Sequence, residues 1–206
     1  MEIKALIPAY NEEGRIAAVI AVAGKYADKV IVLNDCSSDN TGEVARKAGA
    51  EVITNTKNLG YLKNLLKGIE AVDADILVTI DADGEHPPQR IPDLLKPILQ
   101  GEADLVLGKR KKIPRFSERL IARLTQLKTR IQDPGTGFRA FKKTFTPGIS
   151  KIKGYCTCGV FVLFFYRNSA RIKEVPIEEI KIDKPRGTAW RHFPQFFLVL
   201  WQILTK

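Results

Sequence analysis

The chain has 206 residues, 45% apolar and 27% charged, with a formal net charge of +10. That is the composition of a soluble globular domain with a sizeable core, and no window reaches the ~18 uninterrupted apolar residues of a membrane-spanning helix. Cysteines 36, 156 and 158 are an odd set, which argues against a disulfide framework, and "CTC" has the wrong spacing for a zinc knuckle.

In chain order, "IKALIPAY" reads as the first strand and not as a leader, since no basic region or cleavage site accompanies it. "EEGRIAAVIAVAGKY" has helical spacing. "KVIVLND" is a strand, "DNTGEVARKAGA" a helix closed by Gly49, and "EVITNT" a strand. "LGYLKNLLKGIEAV" is a helix, and "DILVTI" and "ADLVLGKR" are strands. Continuous Val/Ile/Leu strands separated by helices predict an α/β fold with a parallel sheet covered on both faces. Ligands of such sheets sit beyond the carboxyl ends of the strands. Three polar clusters fall there, "PAYNEE", "NDCSSDNT" and "DADGEH".

The second half differs. Phe116, Leu120, Leu124, Leu127 and Ile131 form one apolar stripe of a helix, with Arg119, Arg123, Lys128 and Arg130 off it. "DPGTGFRAF" is a glycine-rich turn entering a strand. "CGVFVLFFYR" is a buried helix or strand, and "ARIKEVPIEEIKID" two short strands meeting around Pro176. "FPQFFLVLWQILTK" is a short apolar helix, suited to a membrane interface or to docking on the core or a partner. Residues 109–153 carry fourteen Lys and Arg against Glu118 and Asp133, so the remaining chain sums to −2. A basic segment on a neutral body predicts a polyanionic partner: nucleic acid, a phosphorylated substrate or an anionic membrane.

Asp81 and Asp83 follow a buried strand with one residue between them. Two adjacent carboxylates in low dielectric need a cation to neutralise them, and a hard divalent ion keeps substrate phosphates as further ligands. This is the pattern of a metal–diphosphate site. Pro8 is expected to shape the turn after the first strand, Tyr10 to stack on a nucleobase, and Glu12 or Glu13 to open a helix. Asp35 is a candidate to accept an N–H from a base edge, while Ser38, Asp39 and Asn40 are helix caps. His86 reads as a loop-packing residue.

These pieces in this order resemble family 2 glycosyltransferases, the inverting enzymes with a GT-A fold. "IPAYNEE", "VIVLNDCSSDNT", "NLGYLKNLLKGI" and "TIDADGEHPP" are similar to the family's opening turn, acidic stretch, helix entry and Asp-x-Asp motif. "DPGTGFRAF", "HPP" and "KEVPI" resemble the dolichol-phosphate mannosyltransferase branch. The resemblance implies one GT-A domain: residues 1–108 for the nucleotide sugar, 109–193 for the acceptor and 194–206 as an apolar tail helix. It implies that Pro8, Tyr10, Glu12, Asp35, Asp81 and Ala82 hold the nucleotide. Asp81, Asp83 and Glu85 would hold Mn²⁺ or Mg²⁺. Asp83, Arg110 and Arg139 would serve catalysis, and Thr136, Gly137, Arg139 and Arg186 the acceptor. Departures from the pattern are Asn34 for Asp, Cys36 for Gly, Glu85 for Gln, and "KPRGTAWRH" in place of a closing R-x-x-G-x-S-K.

A phosphate acceptor is an anion at pH 7 and needs cations beside it, whereas a hydroxyl acceptor needs a general base. The basic segment therefore predicts transfer of a hexose, from GDP-mannose first and UDP-glucose second, to a polyprenyl phosphate. The expected setting is the cytoplasmic face of an anionic membrane, without nucleic acid, with a membrane-protein partner or a second copy as further partners. Two alternatives stay open. One is a saccharide or protein hydroxyl acceptor with Asp133 as base. The other is a non-catalytic nucleotide-binding module.

Overall fold

The computed structural model describes residues 1–178, 180 and 192–205. Seven strands form one sheet: β1 (Ile3–Ala9), β2 (Lys29–Asn34), β3 (Glu51–Thr54), β4 (Ile76–Thr79), β5 (Leu105–Arg110), β6 (Arg139–Lys142) and β7 (Ile172–Ile177). Their spatial order is β3-β2-β1-β4-β6-β5-β7. Pairing is parallel throughout except at β6, which runs antiparallel to both β4 and β5. The helices are α1 (Ile16–Ala23), α2 (Thr41–Lys47), α3 (Tyr61–Ala71), α4 (Ile91–Leu99), α5 (Phe116–Thr129), α6 (Val160–Arg167) and α7 (His192–Leu204).

Strand alternation sorts the core into two layers. Ala5, Ile7, Ile76, Val78, Val106 and Ala140 face α1, α2 and α4. Leu6, Leu77, Leu105, Leu107 and Phe141 face α3 and α6. A smaller cluster joins Ile121 of α5 and Val160 and Leu163 of α6 to Val199 and Ile203 of α7. Helices therefore cover both faces, giving a GT-A-like α/β fold.

Four elements differ from the sequence reading. Helix α4 was not anticipated, although Ile91, Leu94, Leu95 and Ile98, all buried, have helical spacing. Residues 172–177 form one continuous strand through Pro176, paired with β5 alone among the described residues. An edge strand tolerates a proline because its open side needs no ladder N–H. Pro8 lies inside β1 and not in the following turn. Leu6 O accepts from Ile80 N, so the even residues of β1 face β4, and that ladder ends at Leu6. Pro8 thus forfeits no ladder bond. Helix α5 is rotated from expectation: it buries Glu118, Ile121, Ala122 and Thr125, and exposes Phe116, Leu120 and Leu127. The cause is Glu118, drawn inward by Arg110 at 3.3 Å and Arg115 at 2.9 Å.

Candidate active site

The loops after β1 and β2 are laced together. Asn11 N donates to Ser37 Oγ at 3.1 Å, Glu12 N to Thr41 Oγ1 at 2.7 Å, and Glu13 N to Asp39 Oδ2 at 3.2 Å. In return Ser38 N donates to Asn11 Oδ1 and Asn40 N to Glu13 Oε2, both at 2.9 Å. This fixes the rim beside Tyr10, whose ring is 50% exposed and open to stacking. Asp39 Oδ1 also accepts from Thr41 N at 3.0 Å, at the entry to α2. The Glu12 carboxylate lies on Arg15 at 2.7 Å.

Asp35 directly follows β2. It is buried, and it accepts N–H groups from Leu59 and Gly60 at 2.8 Å and from Asn55 Nδ2 at 2.9 Å. Three of its acceptor positions hold the loop that enters α3, so its effect on a ligand passes through that loop. Asn34, where the family pattern has Asp, accepts Ser37 N and Ser37 Oγ and closes the turn. Cys36 sits in that turn at φ 60°, a conformation that explains why the pattern has glycine there.

The entry into α3 places Tyr61, which the sequence reading missed. Its hydroxyl donates to Asp81 Oδ1 at 2.8 Å. Desolvation of the hydroxyl end first, then the charge of Asp81, raises this phenol above its ordinary value, although the residue as a whole is 39% exposed. Asp81 is also 3.4 Å from His86 Nδ1. His86 is buried and stacks on Phe138 at 5.6 Å; burial lowers its pKa, and neither ring nitrogen has a hydrogen-bond partner among the described residues. Gly137 closes on the same carboxylate: a Cβ there would stand 2.3 Å from Asp81 Oδ2. Glycine at 137 is therefore a condition of the approach of β6 to Asp81. Thr136 Oγ1 accepts Phe138 N at 3.2 Å and Gly137 O accepts Thr79 Oγ1 at 2.8 Å, so both residues shape this turn.

Asp83 is buried, with Oδ1 accepting Glu85 N at 2.9 Å, and Ala82 between the acids belongs to the core. Among the described residues no group of three or more His, Cys, Asp or Glu is arranged to hold a metal ion. Glu85 is thus not gathered with Asp81 and Asp83 into a three-ligand cage. Two hard oxygen donors still suit an ion that takes its other ligands from a diphosphate and water.

The two arginines behave differently. Arg110 Nε and Nη2 donate to Asp133 at 2.7 and 2.8 Å, and Nη2 also reaches Glu118. Asp133 is 1% exposed and forked by this guanidinium, which makes it the counter-ion of Arg110. Arg139 is fully buried on β6, 4.5 Å over the Phe161 ring, with Nη2 donating to Thr157 Oγ1 at 2.7 Å. Among the described residues its Nε and Nη1 have no hydrogen-bond partner. Burial lowers its pKa, while the nearby Tyr61 and Asp81 oppose that shift. A pocket of about 770 Å³ opens beside the acidic loop, where Arg90, Lys109, Arg110 and Lys111 meet Pro176 and Glu178. Arg186, with Lys184 and Arg191, lies outside the described residues.

A sheet whose acidic loops crowd the carboxyl ends of β1, β2 and β4, opposite buried and pocket-lining cations, is the architecture of an enzyme that handles phosphorylated donors. The glycosyl transferase family 2 model matches residues 5–169, and the chain belongs to that family; it is a glycosyltransferase. Among its relatives is an undecaprenyl-phosphate mannosyltransferase of Micrococcus luteus, 31% identical over 86% of this chain and 83% of its own. Another is a dolichyl-phosphate hexose transferase of Haloferax volcanii, 30% identical over 87% and 86%. A third is a UDP-N-acetylglucosamine–dolichyl-phosphate N-acetylglucosaminyltransferase of Methanococcus voltae, 29% identical over 89% and 88%. The fold matches glucosyl-3-phosphoglycerate synthase from Mycobacterium tuberculosis, solved with Mn²⁺ and UDP-glucose. Its TM-score is 0.78 at 24% identity, over 98% of this chain and 78% of that one.

Proposed function

We propose that this enzyme transfers a hexose from a nucleotide sugar to a polyprenyl phosphate at a membrane surface, with GDP-mannose the first donor and UDP-glucose the second. The observation that carries the reading is Arg139: a buried guanidinium whose Nε and Nη1 have no partner among the described residues, in the field of Asp81. Unpaired buried donors cost roughly 1–3 kcal/mol each. An incoming phosphate oxygen would satisfy them. The family membership and the polyprenyl-phosphate relatives support the acceptor class, and the cationic pocket lined by Arg90, Lys109 and Lys111 suits a second anion.

In this reading Tyr10 stacks on the base, and Asp35, through Leu59 and Gly60, fixes the wall beside it. Asp81 and Asp83 would hold Mn²⁺ or Mg²⁺ together with the diphosphate, and a bound ion would supply positive charge to the leaving group. Tyr61 and Gly137 keep Asp81 in place. Arg139 orients the acceptor phosphate, which attacks the anomeric carbon as an anion and needs no base. The pairing of Asp133 with Arg110 favours a phosphate acceptor over a hydroxyl acceptor that would use Asp133 as base.

Purified protein incubated with Mn²⁺ or Mg²⁺, radiolabelled GDP-mannose or UDP-glucose, and dolichyl phosphate should form a mild-acid-labile labelled lipid. No such product with any nucleotide sugar overturns the acceptor. Asp83→Ala should lower turnover about 10³-fold with an unchanged circular dichroism spectrum. Undiminished turnover removes the metal role.

A further inference from the structure

Helix α7 has two apolar faces. Gln195, Val199 and Ile203 point inward and are buried. Phe193, Phe197, Trp201 and Leu204, on the opposite side, are 69%, 53%, 64% and 75% exposed. From residue 193 to residue 204 the helix carries no charged side chain. Its packing neighbour α5 exposes Phe116, Leu120 and Leu127 with Arg119, Arg123 and Lys128 among them. An apolar patch of this kind on a monomer marks a contact surface.

The charges around it identify the contact. A groove of about 470 Å³ runs between α6, α7 and the 147–153 loop, with Lys151, Lys153 and Arg167 beside Phe164, Leu198 and Trp201. No aspartate or glutamate occurs between residues 134 and 173. Glu118 of α5 is turned inward on Arg110 and Arg115, and Glu70, bonded to Ser150, borders the loop. Aromatic side chains at the level of lysines and arginines match the interface of an anionic bilayer: rings among the upper acyl chains, cations on the headgroup phosphates.

We infer that α7, flanked by α5 and the Lys151–Lys153 loop, docks this protein on an anionic phospholipid surface. The inference deepens the proposed function, because an acceptor lipid is met at such a surface. The geometry ties the docking face to the acceptor side. Gln195 accepts from Tyr155 N at 2.8 Å and donates to Cys158 O at 3.0 Å and Cys156 O at 3.2 Å. The loop so held carries Thr157, the partner of Arg139. The outward rings and the acceptor arginine are thus parts of one packed unit.

The test uses vesicles without any polyprenyl phosphate, so its outcome is independent of sugar transfer. Trp190→Phe leaves Trp201 as the sole indole. Its emission should shift to the blue, and be quenched by brominated acyl chains, on vesicles of mixed phosphatidylglycerol and phosphatidylcholine but not on phosphatidylcholine alone. In co-sedimentation, Phe197→Ser with Trp201→Ser, or Lys151→Glu with Lys153→Glu, should weaken binding about tenfold or more. Absent quenching, binding unchanged by both variants, or a dimer that Phe197→Ser and Trp201→Ser dissolve while vesicles bind nothing, each overturns docking. Vesicle binding without glycosyl transfer would sink the proposed function and leave the docking surface standing.

Discussion

Asp133 with Arg110 and Asp81 with Arg139 are two acid–base combinations of the same molecule, the first in direct contact and the second linked only through the field of the carboxylate. In the first the guanidinium forks the carboxylate at 2.7 and 2.8 Å and Glu118 adds a second anion. In the second the carboxylate is held by a tyrosine, and the guanidinium keeps two N–H positions unpaired. A closed pair contributes to the fold, whereas an open pair holds unmet hydrogen-bonding and charge that a ligand can satisfy. Net charge along the chain cannot tell the two apart.

The contrast can be broken by exchanging the consequences. Asp133→Asn leaves Arg110 without its main counter-ion and should cost about 3–5 kcal/mol of stability, measured by urea unfolding. Arg139→Met should change stability by about 1 kcal/mol or less, because the loss of the Thr157 bond is offset by removal of two unpaired donors. Its turnover with a lipid phosphate should nevertheless fall about 10²-fold. If Arg139→Met destabilises more than Asp133→Asn, the assignment of closed and open pairs is reversed.

A smaller effect sharpens the open pair. Tyr61→Phe removes one hydrogen bond to Asp81 and should weaken Mn²⁺ binding in the presence of nucleoside diphosphate about tenfold. Electron paramagnetic resonance of free Mn²⁺ reads this without any turnover. Equal affinity in both proteins would reduce Tyr61 to a wall of the site. The smallest effect lies in the turn after β2: Cys36→Gly should stabilise the protein by about 1 kcal/mol, since the cysteine occupies the left-handed region at φ 60°. A loss of stability would mean that the Cys36 side chain makes contacts worth more than that strain.

Much of the fold was legible because buried strands such as β2, β4 and β5 are written as unbroken runs of Val, Ile and Leu. The antiparallel insertion of β6 between β4 and β5 was not, since no local pattern encodes which strand becomes a neighbour. Helix α5 shows the limit of periodicity. Its apolar stripe predicts a buried face, but Glu118 turns inward to Arg110 and Arg115, and Phe116, Leu120 and Leu127 stay exposed while only Leu124 and Ile131 pack inward. In the site, the acidic clusters at strand ends were visible in order. Tyr61 was not singled out, although it follows the Asn-x-Gly entry directly, because its task depends on a loop twenty residues further on.

The sequence alone determined the elements, the carboxylates that end them and the family they spell, because hydrophobic period and turn chemistry act over a few neighbouring residues. The tertiary structure alone decided which charges are neutralised and which remain open. Asp133 meets Arg110 and Glu118, Gly137 meets Asp81, and Arg139 stays half-satisfied only after strands distant in sequence pair into one sheet. Coulomb and hydrogen-bond energies depend on distance and burial, and neither is set until the core closes.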